Sequence, residues 1–166
     1  MYRNLIALSL AALLLASTYV RSQELDPAIA ERVSYVADVQ KFQGMFDSVV
    51  EFCEPHVQNE ILQMSRTEWM KQNGAFLALR DKELGEVIGY MKEFGKTAED
   101  IEATNSWFNE QYTSRLAHDR LYKDIATSGN LLVSCSNRLG AMVSESMALK
   151  LLSPEAYKYA TSRGEP

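Results

Sequence analysis

Cysteine and histidine are scarce in this chain: two of each occur among 166 residues. Cys53 and His56 stand together in the stretch EFCEPHVQNE, while His118 and Cys135 stand apart. Zinc would accept two thiolates and two imidazoles, but zinc ligands usually come as closely spaced pairs, and only one such pair is present. The sequence C-x-x-C-H is missing, which removes covalent haem attachment. Also missing are G-x-S-x-G, H-E-x-x-H, G-x-x-x-x-G-K and G-x-G-x-x-G, and with them the main hydrolase, zinc-protease and phosphate-loop signatures. Basic residues number 17 against 22 acidic ones, a net charge of −5. That balance leaves no basic patch of the kind that holds phosphates, so neither a nucleic-acid partner nor an anionic membrane surface is expected.

Long apolar runs are also rare. The first, Leu5 to Ala16, follows Arg3 near the start of the chain. It has the length of a signal-peptide h-region and is too short for a comfortable membrane span. Residues 1–22 therefore read as a signal peptide cleaved after Ser22, with Val20 and Ser22 in the small-residue positions; a retained anchor is the alternative. No cysteine lies near the cut, which argues against a lipid anchor. Cleavage would remove Arg3 and Arg21 and no acid, moving the net charge from −5 to −7. Residues 23–166 are then one domain by size, with no second run of spanning length. Export, with a bacterial periplasm as the destination, is the expected localisation.

What fills the rest is helical periodicity, with apolar residues recurring at three and four and no alternating strand pattern. Asp26 and Pro27 read as N-cap and first position of a helix carrying Ile29, Val33, Val36, Phe42, Phe46, Val49, Val50 and Cys53. Gly44 interrupts that stripe, a place for a bend. The helix should stop near Glu54, because the residue before a proline is pushed from helical geometry, and Pro55 should open the next segment. A long stretch with Trp69, Met70, Phe76, Leu77, Leu84, Val87, Ile88, Met91 and Phe94 is one helix, or two joined near Gly74, ending at Gly95. Thr97 and Asp100 have capping-box spacing, with aspartate a shorter reach than glutamate. Further helices are expected through Ile101, Phe108, Leu116 and Leu121, through Leu131, Leu132, Cys135, Leu139 and Met147, and after an N-cap at Ser153. The fold class is all-α, a single bundle of about four to five helices.

Both cysteines fall on apolar stripes, and in an exported chain a Cys53–Cys135 disulfide is the default. Closing that loop would stabilise the fold by roughly 4 kcal/mol at most. A thiol on a buried stripe has a raised pKa and is inert, so Cys53 is a poor nucleophile even with His56 nearby. Glu99/Asp100 and Glu83/Glu86 read as helix-start and solvated-face charges. Trp69 and Asn73 are four apart and share a helical face. Either they are core residues, or the tryptophan is a surface anchor for a partner.

A helix ending in F-C-E-P, followed by W-M-K-Q-N, resembles small uncharacterised exported helical proteins of Gram-negative bacteria, which pair a cysteine before a W-x-x-x-N helix with a later cysteine. The similarity rests on Cys53, Pro55, Trp69, Asn73 and Cys135 and implies fold and compartment without activity. No catalytic residue, cofactor or metal site is expected. The expected function is non-enzymatic binding of an unknown protein partner, in its specific form inhibition of, or immunity to, a periplasmic enzyme or toxin. A small-molecule or metal-ion binding bundle is the alternative, and an enzyme with an unrecognised site comes third.

Overall fold

In a computed structural model, residues 26–112, 125, 127, 129–144 and 149–164 are described. The expected signal peptide, Leu116, His118, Leu121 and Met147 lie outside them. The described residues form six α-helices and no strand: α1 Pro27–Cys53, α2 Asn59–Glu93, α3 Ala98–Tyr112, α4 Leu131–Met142, α5 Leu149–Leu152 and α6 Pro154–Ser162. The chain is an all-α bundle. None of these helices is long and apolar enough to cross a membrane.

The start of α1 follows from its first residues. The Asp26 carboxylate accepts from the Ala28 N–H at 2.9 Å, and Pro27 holds the first position. At the other end the proline effect is milder than expected. Glu54 keeps helical angles (φ −50, ψ −46) and its N–H still reaches the Val50 carbonyl. A single 3₁₀ turn, Glu54–His56, carries Pro55, and the backbone leaves helical geometry only at Val57. The missing N–H of Pro55 ends the α-helical ladder without forcing the preceding residue out of it. Neither glycine ends a helix. Helix α1 runs through the buried Gly44, and the 35-residue α2 runs through Gly74, about 50 Å end to end.

The stop of α2 is as the sequence suggested, with Gly95 at φ +70, a left-handed turn that glycine adopts without strain. Asp100 does reach back, contrary to its shorter side chain. The Thr97 N–H donates to Asp100 Oδ2 at 2.9 Å, and the Asp100 N–H donates to Thr97 Oγ1 at 3.1 Å. That box opens α3.

Helices α1 and α2 lie antiparallel as a spine, since Arg32 near the start of α1 meets Glu83 late in α2, while Phe46 stacks on Trp69. Against one half of the spine sits α3. Its Phe108 joins Val33, Val36, Val87 and Met91 in one apolar cluster. The other half carries α4, with Cys135 and Leu139 packed among Val49, Val50, Cys53 and Leu62. Helix α6 lies on the spine in that larger cluster, with Ala156 and Ala160 buried. Some residues assigned to stripes stand at their edges instead: Met70, Phe94 and Leu132 are half exposed or more.

Candidate functional site

Cys53 and Cys135 form a disulfide with a Cα–Cα distance of 5.5 Å, both sulfurs sealed in the core. This removes both thiolates from the two-thiol, two-imidazole zinc inventory. Among the described residues no group of three or more His, Cys, Asp or Glu side chains could hold a metal ion. His56 is half-buried against the Phe52 ring, 5.8 Å away.

Trp69 and Asn73 belong to the interior. Trp69 is 1% exposed, stacked on Phe46 at 4.5 Å and tilted against Phe42 at 5.4 Å. The buried Asn73 amide donates back to the Trp69 carbonyl at 2.9 Å. A side chain enclosed on that scale cannot anchor a surface partner, so the interface reading of this pair gives way to the core one. Trp69 Nε1 is buried without a hydrogen-bond partner among the described residues. A donor left so is costly, and the ring's apolar contacts must offset it.

The polar centre of the molecule is one that sequence reasoning misplaced. Glu83, read as a solvated-face charge, is 2% exposed. Its position explains why: on α2 it lies four residues after Leu79 and four before Val87, both buried, so helical spacing puts it on the inward face. Its carboxylate accepts from Arg32 Nη1, from a helix 51 residues away in sequence. Tyr159, on α6, is close enough to it to feel its charge. Arg32 keeps one unsatisfied donor, its buried Nε.

Tyr159 belongs to a group of aromatic contacts. Tyr159 stacks on Tyr35 at 4.9 Å, and the Tyr35 hydroxyl donates to the Phe76 carbonyl at 2.9 Å. Arg163 places its guanidinium over the Tyr159 ring, 5.1 Å from the centroid, and donates to its hydroxyl at 3.1 Å. Burial pushes the Tyr159 hydroxyl above its usual range. The bond from Arg163 opposes that, and the nearby Glu83 carboxylate adds to the rise. Tyr159 therefore stays protonated. The carboxylate is held by a cation on α1, with the Tyr159 hydroxyl of α6 nearby. Arg80 makes a related bridge at the surface, donating to Gln40 at 2.7 Å and to Gln43.

Open space lies elsewhere. A shallow groove of about 240 Å³ is lined by Ile125, Ser134, Asn137, Arg138 and Ala141. Comparison with protein-family models, curated proteins and solved structures finds no match to this chain.

Proposed function

We propose that this chain is an exported, non-enzymatic helical bundle that works by binding another protein, specifically as an inhibitor or immunity protein of a periplasmic enzyme or toxin. The observation that carries the reading is the set of large apolar side chains left outside a filled core. Leu132 (51% exposed) and Val133 (50%) stand together in the first turn of α4, and Leu151 and Leu152 are exposed on α5. Single exposed apolar residues are normal on a surface. Exposed apolar side chains on helices are the groups that helix-mediated recognition uses as anchors. The acidic excess of 22 over 17 charged residues favours a basic partner by complementarity. Export is supported by the N-terminal apolar run and by a disulfide, which persists in oxidising compartments.

The test is a pulldown from periplasmic extract with immobilised protein, beside a Leu132→Asp/Val133→Asp variant. One stoichiometric protein held by the wild type and lost by the variant is the expected result. No stoichiometric partner, or equal recovery by both, counts against the reading.

A second reading, small-molecule binding, is supported by the groove beside Arg138. At about 240 Å³ it falls short of ordinary ligand pockets, which run to roughly 300–1,000 Å³. A co-purifying chromophore, or a large ligand-induced rise in Tm, would favour this reading over protein binding.

A further inference from the structure

Ser153 stands at the N-cap of α6, yet its hydroxyl makes no capping bond to the helix. It donates to Asp38 Oδ2 on α1 at 2.7 Å, across 115 residues of sequence. The helix thus starts without a side-chain cap, and the group suited to supply one is engaged in docking. At nine residues α6 is also far shorter than helices that persist alone in water, which need roughly 12–15. Its buried residues are two alanines, Ala156 and Ala160, which contribute little apolar area each. The remaining grip is specific: Tyr159 on Tyr35, Tyr157 against Phe76 at 6.0 Å, and Ser153 on Asp38. The segment also lies beyond Cys135, outside the loop that the disulfide closes. Its release would leave the pinned part of the bundle covalently intact.

We propose that α6 is a latch: a helix that forms only while docked, covers the Arg32–Glu83 pair, and opens while α1 to α4 stay folded. Opening withdraws the Tyr159 ring and uncovers a strip of the spine bearing Tyr35, Phe76 and the Glu83 carboxylate. The device would give the bundle two surfaces, one displayed while the latch is closed and one only when it is open.

Native-state hydrogen exchange read by mass spectrometry, on the full disulfide-bonded chain, tests this. The amides of α6 are expected to exchange at least about 100-fold faster than those of α1 and α2, the signature of local opening. Ser153→Ala and Tyr159→Phe should each speed α6 exchange by about 5- to 10-fold, the effect of one lost hydrogen bond, without changing α1. Carbodiimide amidation of Glu83, sealed in the closed state, should rise in both variants by a similar factor. The proposal is overturned if α6 exchanges in step with α1 and α2, or if the variants speed all helices equally. It is also overturned if Glu83 amidation does not change.

Discussion

Removing Arg32 should be the most damaging single-charge change in this protein. Glu83 is 2% exposed at its side chain and Arg32 is 19% exposed, so the two partners are not equivalent. In Arg32→Ala the carboxylate stays buried and loses its cation. Breaking a buried pair from that side costs about 3–5 kcal/mol. In Glu83→Leu the guanidinium remains, but its partial exposure lets it find solvent, and leucine suits a site between Leu79 and Val87. A cost of about 1–3 kcal/mol is expected there. The double change Arg32→Met/Glu83→Leu removes both charges and fills the space with apolar atoms, and should lie within about 1 kcal/mol of wild type or above it. Urea unfolding followed by circular dichroism, with the disulfide intact, measures all three. At roughly 2–4 °C per kcal/mol for a domain of this size, Arg32→Ala should lower Tm by about 6–20 °C. The exposed Lys71–Glu68 pair, 3.6 Å apart, is the control and should contribute less than about 1 kcal/mol. The reasoning fails if Arg32→Ala costs no more than that control. It fails equally if the double variant is as unstable as the two single losses added together.

Trp69→Ala should cost about 3–5 kcal/mol by the cavity it leaves against Phe42 and Phe46. Trp69→Phe should cost less than half of that, since it also deletes the unpartnered Nε1, and the same urea series ranks them. The disulfide is sealed, so a mild thiol reductant should leave it intact until the protein unfolds. Cys53→Ser/Cys135→Ser should lose roughly 4 kcal/mol, read from the shift of the urea midpoint. Asp100 is held below the usual carboxylate value by the backbone and hydroxyl hydrogen bonds of Thr97. Its folded pKa is depressed, so its contribution is present above the unfolded value near 3.8 and lost as pH falls through the lower folded value. Faster amide exchange at the start of α3 in that acid window, absent in Asp100→Asn, is the result to look for; an unchanged rate refutes it.

The helices were legible because their signals are local: Asp26–Pro27 at a start, Gly95 at a stop, Thr97 and Asp100 around a box. The all-α bundle followed from those signals and from the periodicity between them. What misled was tertiary. Glu83 and Glu86 look alike in sequence, and only the register Leu79–Glu83–Val87 separates an inward carboxylate from a solvated one. Its cation comes from another helix, which no spacing along α2 announces. Ser153 has every local mark of a cap, and Asp38 on α1 claims its hydroxyl. Gly44 and Gly74 looked like interruptions, but both helices continue through them, an example of tertiary context overriding propensity. The Trp69–Asn73 pair showed the face it shares and not which way that face points.

The Arg32–Glu83 bond sits where the two apolar clusters of the bundle meet, with Val33, Val36 and Val87 in one and Tyr35 and Leu79 in the other. Apolar side chains alone would tolerate α2 sliding along α1, because valine, leucine and phenylalanine can interdigitate in more than one alignment. A slip of one turn, about 5.4 Å, would part the two charges and leave the buried carboxylate facing hydrocarbon. The pair therefore acts as an alignment key: it penalises every neighbouring registry of the hairpin more heavily than it stabilises the correct one.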